Sequence, residues 1–364
     1  MTLSNAELLN EYFHQRHQEL SVQLTAKKAI FLDTKGWVHL RQAAFGDPTC
    51  ATWLPVLELL RQLTAFQQIF CPVSFTTVSE VLKQSDDYTR EATANLLDEL
   101  SLGIGFCAPD EQIIIEVDRQ ARIKTGSPER DLSVWTRTCL TFMRDRLLDM
   151  KFSLPEQFPL FEACFNEVWN TPISKFIKNL GHTPTESLTA TVARLNSDNE
   201  AHRGEIKTFN ALLESECIGA ARFASRLTHT SVRPHIARKL AASGLSSFLA
   251  ESPDEELETQ AVIAWVVEAL QTVEGRLQLP SLFTYAAIHA QIRWMRTQKL
   301  RDNDLPDHAQ VGQAIGYCDA LLLDRATRNV VVAPQIRLDQ LYGTRIMTTP
   351  EEFSTYLQGL ASDT

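Results

Sequence analysis

The chain has 364 residues, of which 44% are apolar and 22% charged, and its formal net charge is −10. This length predicts two domains or one domain with a long insertion, and the composition is that of a globular protein. The negative charge excludes a protein whose whole surface is basic, although a local basic groove for nucleic acid is compatible with it.

Seven cysteines are scattered along the chain without a C-x-x-C pair. Such an odd set is typical of reduced thiols inside a cell and does not indicate a zinc site. The N-terminus lacks the basic segment and apolar core of a signal peptide, and Ser4 and Glu7 have the spacing of a helix capping box. No stretch is apolar enough to span a bilayer, so we expect a cytoplasmic protein without membrane contact.

Four short, continuously apolar runs predict strands covered on both faces, as in a parallel sheet. They are AIFLD at 29–33, PVSF at 72–75, GIGFC at 103–107 and ALLLD at 320–324. Helical patterns separate the first three, which predicts βαβ units and a doubly wound α/β structure. TRIM at 344–347 is a candidate fifth strand, followed by a closing helix with Thr349 as N-cap and Pro350 in its first turn.

Residues from about 120 to 300 show long amphipathic helical patterns instead, including DLSVWTRTCLTFMRDRLLDM at 131–150. This predicts an all-helical insertion that splits the α/β domain. We therefore expect four parts: an N-terminal helix at 1–24, the first half of the α/β domain at 25–120, the insertion at 121–294 and the second half at 295–364.

Acidic residues stand where the functional groups of an open parallel sheet gather, at the carboxyl ends of its strands. Asp33 and Asp324 each end an apolar run, Glu80 follows PVSF on the next helix, and Asp307 begins the helix before ALLLD. We expect these four carboxylates to converge at one end of the sheet. Asp33 is the strongest candidate, because the sequence shows no local capping role for it.

A group of carboxylates is unstable without a cation, because like charges raise one another's pKa and repel. Mg²⁺ or Mn²⁺ binds through carboxylate oxygens and water, and one or two such ions can activate a water and orient a phosphate. The sequence therefore predicts metal-dependent hydrolysis of phosphodiester bonds. With water as the nucleophile and the 3′ oxygen as the leaving group, cleavage leaves a 5′-phosphate and a 3′-hydroxyl.

The same residues resemble the pattern of PIN-domain nucleases. The segments that carry the resemblance are IFLDTKGW with Asp33 and Thr34, TTVSEVLK with Glu80, LPDHAQVGQAIGYCDALLLDR with Asp307 and Asp324, and IMTTPEEF. The resemblance covers roughly residues 25–120 and 295–364 and says nothing about the insertion. It implies a PIN-like central parallel sheet flanked by helices, the four acids as catalytic residues and metal ligands, and RNA rather than DNA as substrate.

Three further acids lie close to this pattern. Asp302 is expected in a solvated loop, and Asp304 is as well placed to cap a helix as to bind a metal. Asp319 begins the last apolar strand, where it either contacts a metal or pairs with a base. The predicted metal ligands are therefore Asp33, Glu80, Asp307, Asp319 and Asp324.

Polar and basic residues beside the acids are candidates for phosphate binding, namely Thr34, Lys35 and Arg301. Trp37 either stacks a base or belongs to the core, and the second role is the more common for a lone tryptophan. His308 is expected on an exposed helix surface rather than as a ligand.

Two alternatives remain open. Arg222 and His229 have an R-x6-H spacing that resembles the motif of HEPN ribonucleases, which cleave RNA without metal through its own 2′-hydroxyl. The other alternative is a PIN-like helical interaction protein without catalytic activity. We expect the insertion to bind RNA, a regulatory protein or a second copy of the chain, or to gate the site, without supplying a metal ligand. Its candidate phosphate contacts are Arg233, Arg238 and Lys239.

Overall fold

The computed structural model describes residues 5–126, 133–141, 158–184, 187–202, 204–205, 207–242, 255–295 and 299–362. For residues 5–10, 229–242 and 255–258 the description is limited to the backbone. Ser4, the predicted first member of a capping box, lies outside the described residues.

Strands of the described chain form two sheets. They are β1 (Lys28–Leu32), β2 (Ile69–Phe70), β3 (Ile104–Phe106), β4 (Trp135–Arg137), β5 (Ala320–Leu322) and β6 (Arg345–Met347). The main sheet is parallel throughout, in the order β2–β1–β5–β6, and β3 pairs with β4 antiparallel. The predicted adjacency of AIFLD and ALLLD is confirmed, because Ile30 lies opposite Ala320 and Leu32 opposite Leu322.

Helices surround these strands, as expected for an α/β fold. The first group is α1 (Asn5–Leu24), α2 (Thr34–Ala44), α3 (Leu54–Ala65), α4 (Phe75–Leu82), α5 (Asp87–Ser101) and α6 (Pro109–Thr125), with a 3-10 helix at Pro48–Trp53. The second is α7 (Phe158–Asn170), α8 (Ile173–Leu180), α9 (Thr189–Ala201), α10 (Phe209–Ala242), α11 (Glu255–Leu270), α12 (Val273–Gln278) and α13 (Pro280–Trp294). The last is α14 (Asp304–Ala314), α15 (Arg325–Val331), α16 (Leu338–Tyr342) and α17 (Pro350–Ser362). Among the described helices, none has both the length and the apolar character needed to cross a bilayer.

The second strand lies earlier than predicted, at 69–70 rather than 72–75. Pro72 has no backbone N–H to donate to a ladder, and the Ser74 hydroxyl already accepts the N–H of Thr77 at 3.0 Å to begin α4. The chain between these points turns toward β3. Val73 forms a parallel bridge with Gly105 and accepts the N–H of Phe106 at 3.0 Å, so β3 lies beside the continuation of β2.

The predicted all-helical insertion is wrong at one place within the described residues, since β4 lies inside 121–294. The Trp135 ring packs against the rings of Phe70 and Phe106, with centroids 5.2 and 4.9 Å apart. This packing holds the segment against the free edge of β3, where pairing satisfies backbone groups of both strands. Of the range 131–150 predicted as a helix, residues 135–137 form a strand, and residues 131–132 and 142–150 lie outside the described ones.

Two hydrophobic clusters cover the two faces of the main sheet, as the alternation of side chains along a strand requires. Ile30, Leu32 and Leu322 belong to a cluster with α2, α3, α5 and α17. Phe31 and Leu321 point to the other face and join a cluster that includes α7, α10, α11 and α13. The middle segment thus covers one face of the sheet with α7, α10, α11 and α13, whereas its helix α8 adds Ile173 and Ile177 to the cluster on the other face.

The closing helix forms as predicted. Pro350 is the first residue of α17, where its missing N–H costs nothing. Thr349 caps the helix, and its hydroxyl oxygen accepts the N–H of Glu352 at 3.2 Å. The predicted fifth strand is also present as β6, which pairs with β5.

Candidate active site

Asp33 and Asp324 follow the carboxyl ends of β1 and β5, which pair in parallel. The backbone N–H of Asp33 donates to the carbonyl oxygen of Leu322 at 3.1 Å, so this ladder extends to the first acid. Each acid is in an extended conformation and is the N-cap of the next helix, Asp33 of α2 and Asp324 of α15. The two side chains therefore lie at the same end of the sheet.

Asp33 has a capping role that the sequence analysis did not predict. Its Oδ1 accepts the backbone N–H of Gly36 at 2.6 Å. The signal was present, since an aspartate just before a helical pattern is a common N-cap. Gly36 is needed for the close approach, because a Cβ there would lie 2.9 Å from Leu322 Cδ2 and 3.2 Å from Asp33 Oδ1.

Asp324 caps α15 in the same way. Its Oδ1 accepts the N–H groups of Ala326 at 2.5 Å and Thr327 at 2.9 Å, and its Oδ2 accepts the Thr327 hydroxyl at 3.1 Å. Asp324 is half-buried. These bonds fix the carboxylate at the start of the helix.

Burial of Asp33, which is 8% exposed, raises the pKa of its carboxyl to about 7. The N–H of Gly36 opposes this effect, and the negative charge of Asp324 adds to it. The N–H of Asp324 and the charge of Lys35 lower the same pKa. Near neutral pH, Asp33 is therefore partly protonated unless a cation is close by.

Asp307 lies in the first turn of α14 and is half-buried. Its pKa is raised to about 8, with burial as the largest cause. The other causes are the negative charges of Asp324, Asp33, Glu80 and Asp304, in that order. The structure thus brings the other three predicted acids within electrostatic reach of Asp307. We call Asp33, Glu80, Asp307 and Asp324 the acid cluster.

Glu80 lies on the helix that was predicted for it, but the strand before that helix differs from the predicted one. It is half-buried near the end of α4, which follows the short strand β2 rather than a strand at 72–75. α4 contacts α14, the helix of Asp307. The glutamate therefore keeps its predicted place, although the strand before it ends earlier.

The acid cluster fits a hard divalent cation by its chemistry. Its donors are carboxylate oxygens, which Mg²⁺ and Mn²⁺ prefer. The raised pKa values of Asp33 and Asp307 show that the carboxylates resist full ionisation together, and a cation relieves that resistance. Within the described residues, no three acidic, histidine or cysteine side chains are grouped closely enough to hold a metal ion.

Asp319 does not join the acid cluster. It precedes β5, so it lies at the amino end of the strand, opposite Asp324. Its Oδ1 forms a salt bridge with Lys28 Nζ at 2.7 Å, and its Oδ2 accepts the N–H of Ala29 at 2.9 Å. Of the two predicted roles, the structure shows the pairing with a base, and Asp319 is removed from the predicted metal ligands.

Asp302 and Asp304 have structural partners. Asp302 Oδ2 accepts the hydroxyl of Thr189 at 2.6 Å, so the loop before α14 contacts α9. Asp304 Oδ2 accepts the backbone N–H of Arg301 at 2.8 Å, which closes the turn before α14. Asp304 also adds negative charge beside Asp307, which is its contribution to the site.

The predicted phosphate-binding residues lie at the edge of the acid cluster. Lys35 is exposed, and its charge lowers the pKa of Asp33. Arg301 is exposed in the turn before α14. Thr34 is half-buried, and its hydroxyl oxygen accepts a hydrogen bond from Gln310 Nε2 at 3.0 Å. Gln310 is not among the predicted site residues. Its place three residues after Asp307 puts these two side chains on neighbouring turns of one helix.

His308 differs from its expected place, whereas Trp37 has the core role that the sequence analysis gave as the more common one. His308 is 7% exposed rather than on a helix surface, and burial lowers its pKa to about 4. The charges of Asp304 and Asp324 oppose that shift, so His308 lies close to the acids. Trp37 lies on α2 and is fully buried in the core, so it does not stack a base.

The alternative pair on α10 stays a prediction. Arg222 is exposed on this helix. The side chains of His229, Arg233, Arg238 and Lys239 lie outside the described ones, so neither the R-x6-H pair nor the predicted basic contacts have a described geometry.

Comparisons with protein-family models, with curated proteins and with solved structures found no match to this chain. The resemblance to PIN-domain nucleases therefore rests on the residues and segments quoted above. The geometry and charge of the acid cluster are the observations that bear on function.

Proposed function

We propose that this protein is a divalent-metal-dependent nuclease with a PIN-like domain, which hydrolyses phosphodiester bonds in RNA. The acid cluster carries this proposal. Its four carboxylates come from α4, α14 and the ends of β1 and β5, and two of them have pKa values raised to about 7 and 8. Strongly shifted carboxylates that face one another are typical of functional sites.

Asp319 shows what a structural acid in this fold looks like. It pairs directly with Lys28, and that ion pair offsets its charge. Asp307, by contrast, has four acids as its main charged neighbours. Such an arrangement destabilises the metal-free fold, and a bound cation offsets this, which supports a metal-binding role for the acid cluster.

Asp33, Glu80, Asp307 and Asp324 would hold Mg²⁺ or Mn²⁺ directly or through water. When bound, such an ion lowers the pKa of water and neutralises charge on the phosphate. The chain itself supplies the positioning groups. The main-chain register of β1 and β5 and the two helix caps hold Asp33 and Asp324 in place.

Phosphate binding falls to the residues at the edge of the acid cluster. An RNA phosphate that approaches four carboxylates is repelled until cations balance them. Lys35 and Arg301 are exposed and supply positive charge, and the Thr34 hydroxyl offers a hydrogen-bond donor beside Asp33.

Cleavage assays on defined nucleic acids test the proposal. Purified protein is incubated with labelled single-stranded RNA, structured RNA and DNA, in Mn²⁺ or in EDTA. We expect RNA cleavage in Mn²⁺ that leaves 5′-phosphate and 3′-hydroxyl ends, and its loss in EDTA and in Asp33→Asn. Cleavage that survives both, gives cyclic phosphate ends and stops in His229→Ala would support the HEPN alternative. Absence of cleavage on every substrate would support the non-catalytic interaction protein.

The helical segment and the location of the protein belong to the same proposal. We expect the segment between α6 and α14 to contact RNA, a regulatory protein or a second copy of the chain. All seven cysteines are free thiols, which supports a reducing, cytoplasmic location.

A further inference from the structure

Gln310 joins the two halves of the chain at the acid cluster. It lies on α14 three residues after Asp307, and its Nε2 donates to Thr34 Oγ1 at 3.0 Å. Thr34 directly follows Asp33. The contact therefore connects the residue after one acid to the helix that carries another.

A glutamine at this core position lowers the stability of the fold. Gln310 is 1% exposed, and among the described residues its Oε1 has no hydrogen-bond partner. A buried acceptor without a partner is destabilising, whereas an apolar side chain of similar size would pack there without that loss. The observation specific to Gln310 is therefore the partner of its Nε2, which is the Thr34 hydroxyl beside Asp33.

The hydrogen bond from Gln310 makes the Thr34 hydroxyl an acceptor toward the glutamine and leaves its own proton to be donated to another group. The amide proton occupies a lone pair of Thr34 Oγ1, so the hydroxyl proton is directed elsewhere. No described residue accepts that proton. The non-bridging oxygens of a phosphodiester carry no protons and act only as acceptors. A hydroxyl held in this way is a donor of the kind that a phosphodiester needs.

We propose that Gln310 is a positioning residue, which fixes the Thr34 hydroxyl as a hydrogen-bond donor to a phosphate oxygen of the substrate. The inference rests on the proposed function, because it needs an RNA phosphodiester at the acid cluster. Gln310 belongs neither to the acid cluster nor to the exposed basic residues Lys35 and Arg301.

Gln313 is a matched control on the same helix. It is also 1% exposed, its Nε2 donates to the Cys107 carbonyl oxygen at 3.1 Å, and its Oε1 has no partner among the described residues. The two glutamines share burial, donor geometry and an unpaired acceptor. They differ in their partner, which is a side chain beside Asp33 for Gln310 and a main-chain carbonyl for Gln313.

The test is a double-mutant cycle with two readouts. KM and kcat for RNA cleavage are measured in Mn²⁺, and RNA affinity is measured in Mn²⁺ by fluorescence anisotropy with an RNA whose linkages cannot be hydrolysed. The variants are Gln310→Met, Thr34→Val, their combination, Thr34→Ser and Gln313→Met. Circular dichroism and thermal unfolding confirm that each one folds.

We expect Gln310→Met and Thr34→Val each to raise KM and weaken RNA binding about three- to tenfold, the range for one lost hydrogen bond. The double variant should match Thr34→Val alone, because Gln310 acts through the hydroxyl. Thr34→Ser keeps the hydroxyl and should stay close to the parent protein. Gln313→Met should change the melting temperature but not KM.

Several outcomes overturn the inference while leaving the nuclease proposal intact. They are equal KM effects of Gln310→Met and Gln313→Met, multiplied effects in the double variant, and equal KM values for Thr34→Val and Thr34→Ser. Gln310→Leu replaces Gln310→Met if the latter does not fold. A parent protein that neither cleaves nor binds RNA contradicts the proposed function itself, and the inference fails with it.

Discussion

The backbone N–H of Asp33 donates a hydrogen bond to the carbonyl oxygen of Leu322 at 3.1 Å. This bond continues the β1–β5 ladder beyond Leu32, so the spacing of Asp33 from Asp324 is set by main-chain register. Both acids then cap a helix through their side chains. Substitutions at either position therefore affect two properties, the helix cap and the charge of the acid cluster, and the two can be separated.

Asp324→Asn and Asp324→Ala make this separation. Asparagine still offers an oxygen to the N–H groups of Ala326 and Thr327, whereas alanine removes it. We expect Asp324→Ala to lower the free energy of unfolding by about 0.5–2 kcal/mol and Asp324→Asn to change it little, while both lose RNA cleavage. Denaturant unfolding and cleavage assays on the same preparations measure the two effects.

Asp86→Ala is the control for the cap. Asp86 is exposed and caps α5 by accepting the N–H of Thr89 at 2.7 Å, and its charge is not among those that shift the pKa of Asp33 or Asp307. This variant should lose stability as Asp324→Ala does and keep its cleavage rate. Full cleavage by Asp324→Asn would remove Asp324 from the proposed metal ligands.

The stability of the metal-free protein should fall as pH rises from about 4 to about 8. Asp33 and Asp307 have folded-state pKa values of about 7 and 8, raised from the ordinary value of 3.8. Between those limits Asp33 and Asp307 bind more protons in the folded state than in the unfolded state, so their contribution to stability decreases with pH, against the opposite contribution of His308 below about pH 6.5. Thermal unfolding in EDTA at several pH values measures the slope.

Asp307→Asn should flatten this slope and stabilise the metal-free protein at pH 8 by on the order of 1 kcal/mol, since it removes one carboxylate that resists ionisation. Asp86→Asn should not flatten the pH slope, because the pKa of Asp86 is lowered rather than raised. The larger cause is a hydrogen bond with the Thr89 side chain, and the second is a hydrogen bond with the Thr89 backbone N–H. A steep pH slope that is unchanged in Asp307→Asn would contradict the assignment of the raised pKa to Asp307.

Gly312→Ala should weaken the packing of α14 against α13. A Cβ at Gly312 would lie 2.6 Å from Tyr285 Cζ and 2.8 Å from its Cε1, and an aromatic ring cannot yield locally. We expect a loss of about 1–3 kcal/mol in the free energy of unfolding, together with lower cleavage because Asp307 moves with its helix.

The control is Gly219→Ala in the interior of α10, where nothing lies within 4 Å of the added Cβ. There the same substitution should stabilise the protein by about 0.5–1 kcal/mol, since glycine is unfavourable inside a helix. The opposite signs are the diagnostic result. Stabilisation by both substitutions would mean that Tyr285 does not pack on Gly312 in solution.

Asn196→Ala tests whether the helical segment positions the loop before α14. The Asn196 side chain donates to the Leu300 carbonyl oxygen at 3.0 Å and accepts its N–H at 2.9 Å. Loss of both bonds should lower the free energy of unfolding by about 1 kcal/mol and reduce RNA cleavage, because Arg301 and Asp307 follow in the chain. Asn170→Ala, which removes one bond within its own helix, should leave cleavage unchanged.

The sequence predicted the parts of the fold that depend on local pattern. The β1–β5 pairing, the cap at Thr349 and the helix after it follow from apolar runs and capping residues, and the structure has all three. The strand predicted at 72–75 lies at 69–70, because Pro72 has no N–H to donate to the ladder. The strand β4 was missed because it is held by Trp135 packing on Phe70 and Phe106, which are distant in sequence.

The candidate site shows the same limit. Residue type and position, at a strand end for Asp33 and Asp324 and on a neighbouring helix for Glu80 and Asp307, predicted these four acids as one group. They were not enough for Asp319, whose place at the amino end of β5 and pairing with Lys28 depend on strand direction and register. The spacing of Gln310 from Asp307 was visible in the sequence, but its hydrogen bond to Thr34 and the burial of His308 depend on tertiary contacts.

Titration calorimetry with Mn²⁺ tests the central claim most directly, because it measures the cation site without depending on the identity of the RNA. The parent protein, Asp33→Asn, Asp307→Asn and the control Asp319→Asn are titrated at one pH, after unfolding curves confirm that each one is folded. We predict saturable binding of one or two Mn²⁺ ions to the parent protein and to Asp319→Asn, and strongly weakened binding to Asp33→Asn and Asp307→Asn. Absence of Mn²⁺ binding to the parent protein, or equal binding to all four proteins, would contradict the claim that the acid cluster is a metal site.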